Sequence, residues 1–271
     1  MAKFDNIIIV SDIDGTFLGK ESRMVDKNVE AVKYFTQNGG KFTFVTGRNP
    51  VELKKMIPLS AELANIPVGC CNGIHLCNID TMEIMHDELL DKETIFGIYK
   101  RVLSEENRNY QMLMVHGSEF YAFTDEEFDF VKDYPESCHK ITLDSAQDVE
   151  LNKIVLFGDP ALIDGVAQNI LSLFKEKVDC VRSLPIAREF VPKGKVKNVA
   201  VEQLMSKYPD CTLFAVGDYE NDFEMLSVAH HSVCPANALD SVKKLCDIHV
   251  CDHDEGAIAD LIHIIEEKYI G

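Results

Sequence analysis

Hydrophobic and polar positions follow two periods along this chain, and the period switches repeatedly. Ile7-Ile8-Ile9-Val10 is a continuous β-branched apolar run, the pattern of a strand covered on both faces, as in a parallel sheet. Over residues 25–38 the spacing of Val29, Val32 and Phe35 predicts a helix, stopped by Gly39-Gly40. Residues 41–46 read as a second strand. Gly47-Arg48-Asn49-Pro50 turns into a helix expected over 51–64, and Pro67 precedes a third strand over 68–71. Strand, helix, strand, helix, strand is the order of a doubly wound α/β domain.

The texture then changes. Residues 74–76 and 84–85 read as a hairpin around Asn78-Ile79-Asp80. From Leu89 to about Ile186 helical and strand segments alternate, with strands expected at 111–115, 120–123 and 153–157 and a helix at 162–174. After Arg188 the parallel pattern resumes. It predicts a helix at 199–208, strands at 213–216 and 232–234, a helix at 223–229 and an amphipathic closing helix at 255–268. The expected organisation is one sheet domain of residues 1–86 and 188–271, interrupted by a second α/β domain over 87–187. A length of 271 residues and a 46% hydrophobic content suit two such domains with sizeable cores.

Charge narrows the function. A net charge of −18 repels nucleic acid and anionic lipid, so neither is expected as a partner. Any phosphate site must then gather positive charge locally. Nine cysteines without a CxxC pair read as small buried thiols of a reducing compartment rather than a zinc site, and Cys70 and Cys71 on one strand would face opposite sides. The charged residues 1–6 lead straight into an apolar strand, unlike a signal peptide, and no apolar run reaches membrane-spanning length. A soluble cytoplasmic protein with no membrane partner is the expectation, as a monomer or a homodimer.

Four segments carry candidate chemistry. Asp12-Ile13-Asp14-Gly15-Thr16 follows the first buried strand, and ligands in open parallel sheets bind beyond the carboxyl ends of strands. Asp12 can act there as a nucleophile and Asp14 as a general acid and base. The bland alternative is a solvated Asp-Gly loop. Gly217-Asp218-Tyr219-Glu220-Asn221-Asp222 places a second acidic loop after another buried strand, and two such loops make an oxygen-ligand site suited to Mg²⁺. A helix N-terminus alone would account for Glu220 and Asp222. In Phe44-Val45-Thr46-Gly47-Arg48, the Thr46 hydroxyl and Gly47 amide can hold phosphate oxygens. Pro192-Lys193-Gly194-Lys195-Val196-Lys197 is a basic spot from which one lysine can neutralise a phosphate.

Together these segments resemble the haloacid dehalogenase-like hydrolase superfamily, in its Cof-type branch with a large α/β cap. Asp12 to Thr16 matches that family's first motif, Thr46 its second, Lys197 its third and Gly217 to Asp222 its fourth. Asn72-Gly73 and Asn237-Ala238 also resemble recurring family segments, although Asn-Gly is equally a hairpin turn signal. Lys197 is preferred to Lys195 as the third-motif lysine, though Asn198 stands where a glycine often follows.

The resemblance implies a doubly wound core with an inserted cap. It implies attack on phosphorus by Asp12, and leaving-group protonation and water activation by Asp14. Mg²⁺ would be held by Asp12, the Asp14 carbonyl and Asp218. Asp222 would support that shell, and Asn221 would orient Lys197 or a metal-bound water. Thr46, Gly47 and Lys197 would hold the phosphoryl group, while Arg48, Asn72 and Arg188 would touch substrate or brace a hinge. The implied reaction is hydrolysis of a small phosphorylated metabolite, with sugar phosphates leading. A phosphomutase uses the same acids. A phosphoacceptor signalling domain gathers similar residues but has about half this length. GxGxxG and P-loop patterns are absent, which disfavours dinucleotide enzymes and P-loop ATPases.

Overall fold

Ile7–Ser11 forms the first strand (β1) of the computed structural model, which describes residues 2–106, 109–117, 119–123, 138–141 and 148–270. Helix α1 (Asp26–Gln37), β2 (Lys41–Phe44), the short helices α2 (Pro50–Met56) and α3 (Ser60–Leu63), and strands β3 (Val68–Cys70), β4 (His75–Cys77) and β5 (Ile84–Asp87) follow. Next come α4 (Lys92–Leu103), β6 (Tyr110–His116), β7 (Glu119–Phe123), β8 (Cys138–Ile141), β9 (Lys153–Gly158), α5 (Pro160–Phe174), β10 (Val178–Leu184) and β11 (Ala187–Pro192). The chain ends with α6 (Lys197–Lys207), β12 (Thr212–Val216), α7 (Phe223–Ser227), β13 (His231–Pro235), α8 (Asp240–Leu245), β14 (Ile248–Val250) and α9 (Ala257–Lys268).

The first sheet is parallel, in the order β14-β13-β12-β1-β2. A bridge from Val45 to Gly69 carries it towards β3, which also starts the separate three-stranded sheet β3-β4-β5. Ile7 and Ile9 pack on one face of the parallel sheet with Val32, Phe35, Leu261 and Ile265 from α1 and α9. Ile8 and Val10 pack on the other with Val201, Leu204, Leu226 and Val242 from α6, α7 and α8. Two covered faces explain why the β1 run is apolar without alternation.

The second sheet has the order β10-β11-β9-β6-β7-β8 and is antiparallel except for β7 with β8. Helices α4 and α5 bury Ile98, Val102, Val166 and Ile170 with Met112, Met114, Ile154, Leu156 and Phe190 of that sheet.

The chain divides into two compact units, Met1–His86 with Val196–Gly271, and Asp87–Lys195. The return lies later than the expected residue 188. Ala187–Pro192 pairs with both β9 and β10, and Phe190 belongs to the second unit's core. The helix expected over 51–64 is broken in two. Pro58 disfavours helical geometry at Ile57, whose φ and ψ are −121 and 82. Cys71, expected on a strand, has left the sheet with φ at +52. The alternation expected over 124–137 and 142–147 lies outside the described residues. No helix among the described residues is long and apolar enough to cross a membrane.

Candidate active site

The parallel strands deliver Asp12, Thr46 and Asp218 to one edge of the first unit. Asp12 follows β1, and its amide donates to Val216 O at 2.9 Å, tying it to the end of β12. Beyond it the chain turns tightly: the Phe17 and Leu18 amides both donate to Ile13 O at 3.0 Å. Gly15 makes the turn possible, with φ at +80 and a virtual Cβ only 2.5 Å from Asp218 Oδ2. Thr16 Oγ1 donates to Asp218 Oδ1 at 2.7 Å, joining the two acidic loops.

Gly217 plays the matching part after β12, since a Cβ there would lie 2.5 Å from Asp222 Cγ. Asp222 Oδ2 accepts the amides of Asp218 and Tyr219 at 2.9 and 3.1 Å. Its Oδ1 accepts from Lys197 Nζ at 2.6 Å, and Lys197 also donates to Asp12 Oδ1. Lys197 is fully buried at the start of α6. The Asn72-Gly73 backbone packs on it so closely that a Cβ on Gly73 would sit 2.9 Å from Lys197 Cα.

Three carboxylates, Asp12, Asp218 and Asp222, thus offer ligand atoms within 4.8 Å of one another. Burial raises the pKa of Asp12 well above the usual carboxylate range, with Lys197 pulling it back and the neighbouring acids adding to the rise. Burial and the charge of Asp222 push Asp218 up to about 7. For Lys197, burial opposes the charged form, but Asp12 and Asp222 outweigh it and hold the ammonium above its ordinary range. The donor set is all oxygen and carries excess negative charge, so it fits a hard divalent cation. Both Asp222 oxygens are already engaged, which leaves Asp12 and Asp218 as the better candidate ligands.

Asp14 stands apart from this cluster. Its carboxylate is held by Arg48 through Nε at 2.8 Å and Nη2 at 2.9 Å. Thr46 is buried beside Arg48 and accepts the Arg48 amide at 3.2 Å through Oγ1. The Asn72 amide donates to Thr46 O at 2.8 Å. Cys71, Asn72 and Gly73 all adopt left-handed geometry, with φ at +52, +60 and +80, an uncommon run for residues with side chains. Gly47 packs against Asn72 Oδ1, which a Cβ on Gly47 would approach at 3.1 Å. Asn221 directs Nδ2 towards Asn72 Oδ1 at 3.5 Å.

Arg188 and Lys195 belong to the other unit. Arg188 sits within β11, buried, donating from Nε to Asp164 at 2.6 Å and from Nη1 to Ala187 O at 2.8 Å. It braces the β10–β11 turn. Lys195 pairs with Glu88 at 2.7 Å, so Lys197 is the lysine at the acidic cluster.

Three supports had no assigned role in the sequence. Asn237 Nδ2 donates to Gly15 O at 2.8 Å, His253 Nδ1 lies 2.7 Å from Leu18 O, and Asn28 Nδ2 donates to Phe17 O at 2.8 Å. Asn28 Oδ1 also accepts the Ile258 and Ala259 amides, capping α9 from a distant helix. Each is a single polar residue with no periodic signature. Only the family-like Asn237-Ala238 segment offered a cue.

Comparison with known proteins identifies a family and a fold. The sequence profile of the haloacid dehalogenase-like hydrolases matches residues 9–262. The 5-amino-6-(5-phospho-D-ribitylamino)uracil phosphatase of Bacillus subtilis (strain 168) is 25% identical, over 93% of this chain and 95% of its own. The HMP-PP phosphatase of Yersinia enterocolitica serotype O:8 is 25% identical over 86% of this chain and 85% of its own. A haloacid dehalogenase-like hydrolase from Bacteroides thetaiotaomicron superposes with a TM-score of 0.77 at 24% identity, covering 96% of this chain and 99% of that one.

Proposed function

The chain belongs to the haloacid dehalogenase-like hydrolases, and from that premise we propose that it is a Mg²⁺-dependent phosphatase of small phosphorylated metabolites, working through an aspartyl-phosphate on Asp12. The observation that carries this reading is the close group of Asp12, Lys197, Asp218 and Asp222 at the sheet edge, three carboxylates with one ammonium bonded to two of them.

Asp12 attacks phosphorus, and Lys197, already bonded to it, moves with the nucleophile to neutralise a phosphoryl oxygen. Thr46 and the Gly47 amide hold the other oxygens. Asp14 protonates the departing oxygen, then takes a proton from the water that cleaves the acyl phosphate. Asp12, Asp218 and the Asp14 carbonyl would hold Mg²⁺. When bound it supplies the positive charge that offsets repulsion between a carboxylate and a phosphate dianion. Asp222 fixes Lys197 and the backbone that carries Asp218.

Phosphatases among the relatives support a phosphoric monoester as substrate. The Bacillus relative's name describes a phosphate on a ribityl chain, which supports sugar and polyol phosphates as the leading class. Nine cysteines, none in a disulfide among the described residues, support a reducing, cytoplasmic setting.

A phosphate-release screen over phosphorylated metabolites tests this. We expect turnover with Mg²⁺, reversible loss in EDTA, and a fall of at least ~10⁴-fold in Asp12→Asn. Wild-type turnover by Asp12→Asn would remove the mechanism. Turnover that needs a bisphosphate activator and releases no phosphate would make the protein a mutase.

A further inference from the structure

Arg48 meets Asp14 as a fork: Nε donates to Oδ2 at 2.8 Å and Nη2 to Oδ1 at 2.9 Å. Both carboxylate oxygens are held, so the plane of the carboxylate is fixed as well as its position. The pair is partly open to solvent, with side chains 36% and 42% exposed. Solvent-exposed ion pairs typically contribute ~0–1 kcal/mol, bidentate ones the most, so stability accounts for only a small part of why this fork is held at the site.

The arginine stands on a rigid base. Its amide donates to Thr46 Oγ1 at 3.2 Å, and its carbonyl accepts the Cys71 amide at 2.9 Å. The next residue, Asn49, caps α2 through reciprocal bonds with Glu52, and Pro50 fixes the first helical position. Thr46 is therefore tied to the residue that holds Asp14.

We propose that Arg48 is the positioning residue for Asp14, holding its carboxylate in one orientation, so that Arg48 contributes to turnover through Asp14 and not by contact with substrate. The proposal rests on the reading of Asp14 as acid and base. A carboxylate on a short side chain samples several rotamers, and proton transfer requires hydrogen-bond reach in the right one. Geometry of that kind is lost without the fork, and a lysine, with one point charge, cannot restore it.

The test compares kcat/KM for wild type, Arg48→Ala, Arg48→Lys, Asp14→Asn and the Arg48→Ala/Asp14→Asn double variant. The substrates are p-nitrophenyl phosphate, whose leaving group departs without protonation, and an alkyl phosphate that needs it. Arg48→Ala is expected to lower kcat/KM by ~10- to 100-fold on the alkyl phosphate and by ~3-fold or less on the aryl one. The double variant should be within ~3-fold of Asp14→Asn, because the two residues act as one unit. Arg48→Lys should recover only part of the loss, and melting curves should show every variant folded.

Losses that multiply in the double variant would overturn the proposal, as would an equal loss on both substrates carried by KM, the mark of a direct phosphate contact. Full recovery by Arg48→Lys would overturn it too, since a point charge would then suffice. If Asp14→Asn itself kept wild-type activity on the alkyl phosphate, the acid–base reading would fall instead, and the two failures are separate.

Discussion

Both units bury charge, and they do it differently. In the second unit Lys153 donates to Glu189 at 2.8 Å, with side chains only 8% and 7% exposed, and Ser183 donates to the other Glu189 oxygen. There a buried ammonium meets a buried carboxylate. In the first unit Lys197 faces Asp12 and Asp222, with Asp218 in the same group. In that group three carboxylates accompany one ammonium, and burial raises the pKa of both Asp12 and Asp218. A compensated buried pair is compatible with a purely structural role. An uncompensated group costs folding free energy, and its retention points to a charge that arrives later. Sign imbalance, more than burial, separates the site from the scaffold.

The comparison breaks most easily in the second unit. Lys153→Met takes an ammonium away from the buried Glu189 carboxylate, and is expected to lose up to ~3–5 kcal/mol in urea unfolding, with or without Mg²⁺. Replacing both residues, Lys153→Met with Glu189→Leu, should return most of that loss. A single-variant cost below ~1 kcal/mol would mean that the pair is not balanced in the way its geometry suggests.

In the first unit the imbalance predicts a response to cations. Mg²⁺ at a hundredfold excess over its dissociation constant should stabilise the wild type by ~2.7 kcal/mol, read as a rise in the unfolding midpoint. Asp218→Asn should abolish most of that rise. Asp12→Asn should stabilise the metal-free protein by ~1 kcal/mol, the opposite sign to Lys153→Met, because it removes one of three crowded carboxylates. A wild-type midpoint unmoved by Mg²⁺ would sink the cation assignment independently of any activity.

Local features were legible in the sequence, and features that depend on the fold were not. The Ile7 to Val10 run, the two acidic loops and the helical spacing of Val29, Val32 and Phe35 are each contained in a few neighbouring residues. Pro58 was equally local, yet the apolar spacing across residues 51–64 masked the break it causes. The β10–β11 hairpin was missed for a different reason. Its buried Val178 and Val181 are interleaved with Asp179, Arg182 and Ser183, so the run lacks the apolar density of β1. Arg188 then looked like a re-entry point because the parallel pattern resumes soon after it. In the fold it belongs to β11, with Asp164 from α5 as its partner. The Arg48–Asp14 fork joins residues 34 positions apart, and nothing in either loop announces the other. The same holds for Asn237, His253 and Asn28, which support the Asp12 loop from three separate elements.

The smallest expected effect sharpens the comparison through pH. His116 Nε2 lies 3.1 Å from Asp87 Oδ2, and that hydrogen bond raises the histidine pKa above its ordinary 6.5 despite partial burial. A raised histidine pKa means that the folded state binds the proton more tightly than the unfolded one. The stabilisation is complete below the ordinary value and is lost as pH rises through the folded value. Asp218, pushed up to about 7, shares this sign, because its carboxyl also holds more proton when folded. Saturating Mg²⁺ would hold Asp218 ionised and remove its share, leaving His116 as the group to follow. With Mg²⁺ present, the wild-type melting temperature should fall more steeply between about pH 6 and 8 than that of His116→Gln. Identical slopes would show that His116 is as exposed to solvent in its energetics as a free imidazole. The pH dependence of the second unit would then carry no trace of its ion pairs.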